Sequence, residues 1–275
     1  MYVCHSTQIG AVMKENGSIA LYAHYFRIQF KSAMQYKGSF ILTCIGQFLV
    51  SFNVFLGIYF MFRRFHSVSG YSYSEVLLCF GITLMEFSLA EAIARGFDTF
   101  SSMISNGVFD RIMVRPRNEI FQVLGQKIEF TRIGRMLQAV MMFTYGIMKS
   151  GITWTASKIF TVIFMLLGGT ALFCGIFLIY AALCFFTLEG LEFMNILTDG
   201  AREYGKYPVN IYGKKILLLC TLIVPYALVQ YYPLLYLLDR GSMWYILLPV
   251  GGFVFLLPCY GFWRLGLHHY KSTGS

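Results

Sequence analysis

Long apolar runs, separated by short and mostly basic gaps, constrain the fold of this chain more than any other feature. A helix needs about 20 apolar residues to cross the roughly 30 Å of bilayer hydrocarbon. The chain is 57% hydrophobic and 13% charged, whereas a soluble domain carries about 25% charged residues. The sequence therefore predicts an all-α integral membrane protein that is one transmembrane domain over residues 1–275. Its six transmembrane helices are expected at 38–62, 73–94, 133–148, 159–186, 216–238 and 243–265.

The basic residues predict the orientation of these helices. Most lysines and arginines fall before residue 38, in 95–135, in 202–215 and after 263, and few fall in the alternate gaps. Since cytoplasmic loops carry the excess of basic residues, both termini are expected in the cytoplasm. The net charge of +9 is explained by this pattern, and no nucleic-acid motif accompanies it, so no nucleic-acid partner is predicted.

The first predicted element is a basic amphipathic helix over 14–37. Tyr22, Phe26 and Phe30 recur at helical spacing, and Arg27 and Lys31 occupy a neighbouring stripe. This pattern is typical of a helix that lies in the membrane interface. The alternative is an ordinary helix packed on a soluble partner.

The gap between the second and third helices, 96–130, is the main candidate for function. Gly107 and Pro116 are helix breakers that frame a short folded piece. Pro116 disfavours a helical conformation at Arg115. Asn118 is placed to cap a new helix, with Glu119 in its first turn.

The framed piece combines three guanidinium groups with apolar side chains that are expected to be exposed. The arginines are Arg111, Arg115 and Arg117, and the apolar residues are Phe109, Ile112 and Met113. This mixture suits docking of another protein on the cytoplasmic side. The alternative is a lipid-facing basic loop that only sets topology.

Two later stretches leave alternatives open. Pro225 is expected to kink the fifth helix, and Pro233 to break it near its outer end. The outer part of that helix and the start of the sixth then form either a shallow re-entrant hairpin or a plain kinked span. The polar stretch 189–215 is expected to be a cytoplasmic amphipathic helix ending at Gly200, followed by an extended lead. It is either a second docking surface or a linker.

The chain lacks sequence signatures for chemistry of its own. It has no GxxxxGK[ST] phosphate loop, no HExxH and no GxSxG. Its seven cysteines form no CxxC pair and its histidines lie outside the spans, so no catalytic residue, metal site or cofactor is predicted on this chain.

Glu86 is the one charge near the middle of a predicted span. A charge there costs about 2.5–3.5 kcal/mol on insertion scales, so it should face protein or water. Glu75 shares its face. Glu86 is either part of a proton or cation path or a hydrogen-bonding group between helices. Glu91 and Arg95 are expected to form an i,i+4 pair.

The chain resembles the membrane subunits of type-2 ABC exporters. Residues 107–116, GVFDRIMVRP, are similar to a G-x-[aromatic/Leu]-D-x-x-Leu-x-R-P signature in one branch of these permeases, with Ile112 or Met113 in place of the usual leucine. The resemblance extends to Tyr207-Pro208, to Val224-Pro225 and to the tail at 270–275. It covers nearly the whole chain.

The resemblance implies a non-catalytic permease subunit of an ATP-driven exporter in the cytoplasmic (inner) membrane of a bacterium. Separate ABC ATPase subunits would bind ATP and Mg, and a second permease, identical or paralogous, would complete a dimer. The cargo is unidentified; amphipathic, lipid-like, drug, antimicrobial and peptide substrates all remain open. The coupling position to the ATPase would span Phe109, Asp110, Arg111, Ile112, Met113, Arg115, Pro116 and Arg117. The alternative is a proton- or ion-coupled secondary transporter that uses Glu86.

Overall fold

The computed structural model describes residues 18–187 and 198–270, and within these ranges it is helical with no strand. Short 3₁₀ turns lie at Met34–Tyr36, Phe130–Arg132, Val209–Tyr212 and Met243–Leu247. The α-helices are α1 (Ser18–Ala33), α2 (Lys37–Arg64), α3 (Tyr73–Asp98), α4 (Phe100–Ser105), α5 (Val108–Met113), α6 (Glu119–Gln126), α7 (Ile133–Lys149), α8 (Ala156–Thr187), α9 (Asp199–Tyr204), α10 (Lys214–Leu222), α11 (Tyr226–Val229), α12 (Tyr231–Leu237) and α13 (Val250–His269).

Four helical stretches in the described ranges are long and apolar enough to cross a membrane. They contain α2, α3, α8 and α13, and thus coincide with predicted spans one, two, four and six. Predicted span three corresponds to α7, which has only 17 residues. Predicted span five corresponds to a bent pair of helices that counts as a fifth candidate if taken as one span. The all-helical membrane class is therefore confirmed, while six crossings remain a prediction.

The helix α3 is the centre of the bundle, packed against α7 and α8, and α8 packs in turn against α13. Small residues allow these helices to approach closely, as is usual in membrane proteins. A Cβ atom on Gly252 of α13 would lie 2.0 Å from the carbonyl oxygen of Gly168 on α8. A Cβ atom on Gly134 of α7 would lie 1.9 Å from the backbone carbonyl oxygen of Cys44 on α2. Any larger side chain at either glycine would push the paired helices apart.

The described part of the amphipathic helix predicted at 14–37 is α1, since 14–17 lie outside the described residues and 34–36 form a 3₁₀ turn. Aromatic side chains of α1 pack on the segment between spans two and three. Phe26 and Phe30 lie on Phe130 with ring centroids 4.9 and 5.3 Å apart. The Gln29 side chain donates to the backbone carbonyl of Gln126 over 2.9 Å. These contacts fix α1 to the protein itself.

The fifth predicted helix, 216–238, is not continuous. The axes of α10 and of the α11–α12 stretch differ by 87°, and the break lies just before Pro225, which has no backbone N–H to continue the helix. This geometry is that of a broken span or a re-entrant loop rather than a plain kinked helix. The predicted break at Pro233 is observed one turn earlier, at Gln230, where α11 ends. Pro233 then lies in the first turn of α12, where the missing N–H has no helical partner to lose.

The polar stretch predicted at 189–215 falls partly outside the described residues, and its described part does not lie beside 96–130. Arg202 lies over the ring of Phe87, near the middle of α3. The Tyr207 hydroxyl contacts Met61 Sδ at 3.4 Å, near the end of α2 that leads into α3. Ile211 packs with Tyr207 in the cluster that also holds Tyr71, just before α3 begins.

This stretch therefore runs along α3 towards its Tyr73 end, opposite to the end that leads into 96–130. If α3 crosses the membrane, 205–212 and 96–130 lie on opposite sides, so the predicted cytoplasmic placement cannot hold for both; the side that each faces stays a prediction. Within this stretch Arg202 and Lys206 both pair with Glu203, and Arg202 also pairs with Asp199 at 3.4 Å.

Candidate functional site

The candidate site is the segment from Thr99 to Asn118, which connects α3 to α6. Gly107 adopts the left-handed conformation with φ 63° and starts α5, as its role of breaker predicts. At the far end the Asn118 side-chain oxygen accepts hydrogen bonds from the backbone of Ile120 and Phe121 at 3.0 and 3.4 Å. The predicted cap on α6, with Glu119 in its first turn, is confirmed.

Gln122 closes the turn between α5 and α6. Its amide nitrogen donates to the backbone carbonyl of Arg117 at 3.1 Å and to that of Ile112 at 3.5 Å. The side chain is buried, so these bonds also satisfy part of a polar group that would be costly to leave unpaired. No sequence signal pointed to Gln122, since its partners are backbone atoms of a turn.

Two of the residues predicted to be exposed are buried. Phe109 is 0% exposed and Ile112 2% exposed, so the expectation that they present an apolar surface was wrong. They are three residues apart on α5 and therefore share one face of the helix, and that face is turned into the protein. Met113, in contrast, is 45% exposed, as predicted.

Phe109 belongs to what we call the aromatic cluster. Its ring centroid lies 5.0 Å from that of Phe100, 5.4 Å from Phe185, 6.3 Å from Trp263 and 5.2 Å from Tyr270. Most of these ring pairs meet edge to face, the geometry that the charge distribution of aromatic rings favours. The cluster joins five elements of the chain. Its members are Phe97 of α3, Phe100 of α4, Phe109 of α5, Phe185 of α8, Trp263 of α13 and Tyr270.

The opposite side of the segment is what we call the exposed tip. It contains Arg111, Met113, Val114, Arg115 and Pro116, all of them exposed, with Val114 at 83%. Arg117, at its edge, is half-buried. The tip thus presents two guanidinium groups beside two apolar side chains, on a turn held rigid from behind. Such a combination of charge and apolar area is common in protein-binding surfaces.

Side chains from the C-terminal part of α13 and from Tyr270, which follows it, contact the segment before and after the exposed tip. The Tyr270 hydroxyl donates a hydrogen bond to the Asp110 carboxylate at 2.9 Å. Burial raises the pKa of Tyr270 to about 12, and Asp110 adds to the shift, so the phenol keeps its proton at neutral pH. On the far side, Arg264 of α13 lies 3.9 Å from Glu119.

A group of three arginines surrounds Glu91 in the last part of α3, shortly before the segment begins. Glu91 is 4% exposed. Its carboxylate lies 3.3 Å from Arg95, 2.6 Å from Arg132 and 2.6 Å from Arg135. Arg135 also donates to Gln47 of α2 over 3.0 Å. The predicted pair with Arg95 is confirmed, and the other partners lie too far away in the sequence for residue spacing to reveal them.

Glu86 is fully buried, and neither of its carboxylate oxygens has a hydrogen-bond partner among the described residues. The side chain lies against α8, where a Cβ atom on Gly169 would come within 2.1 Å of its carboxyl carbon. Glu75 does not extend a polar path from it, since Glu75 caps α3 and pairs with Arg240 at 2.7 Å. The part of the chain that the structure describes contains no group of three His, Cys, Asp or Glu residues that could hold a metal ion.

The long apolar helices, packed together around α3, define this chain as a helical membrane protein. The chain matches the profile of the ABC-2 family transporter proteins over residues 48–274 and belongs to that family. The match covers α3 through α13 and so includes the candidate site. No curated protein and no solved structure matches the chain significantly.

Proposed function

We propose that this permease is the membrane subunit of an ATP-driven exporter, and that the exposed tip is where separate ATPase subunits dock. The observation that supports the proposal best is the division of the 109–117 segment into two sides. One side is buried in the aromatic cluster, while the other exposes Arg111 and Arg115 beside Met113 and Val114. A docking surface needs exposed contacts, and a transmitting element needs a rigid attachment; this segment combines both.

The proposed mechanism requires that ATP binding move the ATPase subunits and that the tip follow them. A ligand shifts a conformational equilibrium only through contacts that differ between states, so the tip must bind its ATPase differently in the two states. Because Phe109 is packed against rings from α8 and α13, displacement of the tip would move those helices. The resemblance alone implied helices two and three as the receivers.

The complete transporter, on this proposal, has two permease subunits, identical or paralogous, and two ATPase subunits that hold ATP and Mg. Each permease crosses the cytoplasmic membrane six times with both termini inside. A reporter active only outside the cytoplasm, fused after Ser275, should be inactive; an active fusion would contradict this topology. The cargo remains one of the amphipathic, lipid-like, drug or peptide classes.

The test is an Arg115→Ala variant, made in the permease and studied with the ATPase subunit that co-purifies with the wild type. Wild-type permease in nanodiscs should bind the ATPase and stimulate its ATP turnover. Arg115 is exposed at the tip, so its loss should weaken binding and reduce stimulation several-fold without affecting folding. Lys127→Ala is the matched control, because Lys127 is also basic and exposed but lies beyond α6. Full stimulation by Arg115→Ala would refute the assignment of the tip.

A secondary transporter is the second candidate, and the buried, unpartnered carboxyl of Glu86 is the observation that favours it. In that case the purified permease alone, in liposomes with an imposed proton or ion gradient, would move cargo without any ATPase. Dependence of transport on ATP and on the ATPase subunit would exclude it.

A further inference from the structure

The contact between Tyr270 and Asp110 connects the end of the last helix to the start of the candidate docking segment. Tyr270 is the first residue after α13 and has an extended backbone, with ψ 127°. Its ring packs on Phe109 and Phe185, with centroids 5.2 and 5.6 Å away. This packing aims the hydroxyl at Asp110, and the hydrogen bond measures 2.9 Å. Hydrogen bonds to a carboxylate are stronger than those between neutral groups.

Because of the position of Asp110, this hydrogen bond connects the exposed tip to the end of α13. Asp110 lies directly before Arg111, the first residue of the exposed tip, and Glu119 lies shortly after the tip ends. Each of the two carboxylates faces a side chain from the C-terminal part of α13 or just beyond it: Tyr270 for Asp110, and Arg264 for Glu119. The tip is therefore bracketed by two polar contacts to the C-terminal end of α13 and the residue that follows it. Of the two, Arg264–Glu119 is the looser, at 3.9 Å with Arg264 about half exposed.

We propose that Tyr270 is a positioning residue, whose hydrogen bond to Asp110 makes the last helix follow the docking segment when the ATPase moves it. This inference rests on the proposed function and adds to it the polar contact through which α13 follows the segment. Without the hydroxyl, the ring still fills its place in the aromatic cluster, but the segment is attached to the end of α13 by ring packing alone, which is less directional than a hydrogen bond. Movement of the tip is then absorbed at this contact instead of reaching the membrane.

The test is a Tyr270→Phe variant, in which only the hydroxyl is lost. The permease is reconstituted with its ATPase in nanodiscs, and three quantities are measured: thermal midpoint, affinity for the ATPase, and stimulation of ATP turnover. The midpoint and the affinity should stay close to wild type, because the ring and the exposed tip are unchanged. Stimulation should fall several-fold. Tyr260→Phe, on an exposed position of α13, is the matched control and should leave stimulation unchanged.

A double-mutant cycle separates this role from a general loss of structure. Asp110→Ala removes the acceptor, and its effect on stimulation should resemble that of Tyr270→Phe. If the two residues act through one bond, the double variant loses no more than either single variant. Multiplying effects, or wild-type stimulation by Tyr270→Phe, would overturn the proposal while leaving the exposed tip intact as a docking site. A wild-type permease that neither binds nor stimulates the ATPase would instead remove the proposed function, and this inference with it.

Discussion

Replacing Phe109 by alanine should destabilise the permease more than any substitution on the exposed tip. Phe109 is 0% exposed and has four aromatic rings within 6.3 Å of its own. Truncating a buried phenylalanine to alanine typically costs about 3–5 kcal/mol, because burial is lost and a cavity is left. Phe109→Leu keeps much of the volume but loses the ring edges, and each aromatic pair contributes about 0.5–1.5 kcal/mol beyond its buried area. We therefore expect an intermediate loss for leucine.

Thermal unfolding of the purified variants, in one detergent and at one scan rate, measures the loss of stability in Phe109→Ala and Phe109→Leu. In domains of 150–250 residues, 1 kcal/mol corresponds to about 2–4 °C, so Phe109→Ala should lower the midpoint by at least about 6 °C. Val114→Ala is the control, since Val114 is 83% exposed and substitutions at exposed positions usually stay within about 0.5 kcal/mol. Equal midpoints for Phe109→Ala and Val114→Ala would show that the cluster does not anchor the segment. The conclusion that α5 is anchored through its buried face would then be refuted.

Two further substitutions test buried carboxylates. Glu91→Gln should lower the thermal midpoint strongly, because removing one partner of a buried ion pair costs about 3–5 kcal/mol and three arginines depend on this carboxylate. Asp199→Asn is the control and should change little, because the Asp199 side chain is 58% exposed in its pair with Arg202 and exposed ion pairs contribute little. Glu86→Gln should fold like wild type, because glutamine has nearly the same shape and avoids an unpaired charge, but it should alter transport; wild-type transport by this variant would leave Glu86 without a role.

Local signals in the sequence were reliable where the partner atoms lie within a few residues. Asn118 caps α6 as predicted, and Gly107 interrupts the helices as predicted, in the left-handed conformation, because capping and φ preference are properties of the residue and its immediate neighbours. The break before Pro225 follows from the same kind of reasoning. The long helices were recognisable because twenty consecutive apolar residues leave few other structures open.

The orientation of α5 was not predictable in this way. A helix of six residues with Phe109, Ile112 and Met113 has apolar side chains on more than one face, and the sequence does not show which face meets protein. That choice is made by Phe185, Trp263 and Tyr270, which lie 76 or more positions further along the chain. The same limit applies to Glu91, because Arg132 and Arg135 come from another helix and its preceding turn.

The course of 205–212 along α3 was not predictable for a related reason. A count of basic residues carries no information about contacts that form inside the bundle. Contacts to Cys79 and Thr83 then draw the chain along α3, where Gln230 donates to the carbonyl of Gly205 at 3.1 Å. Such a polar contact inside a bundle has no signature in the local sequence.

The right-angled bend before Pro225 has a consequence for the lipids around the protein. The exposed arm, Lys214–Leu222, has nine residues, none of them buried, and extends only about 14 Å, well short of the roughly 30 Å of a hydrocarbon layer. The helices α2 and α8 are long enough to present apolar surface over the full thickness of the hydrocarbon layer. The apolar surface of this arm covers only part of that thickness. A bilayer responds to such a mismatch by thinning locally. The membrane around this permease should therefore be thinner on one flank than on the others.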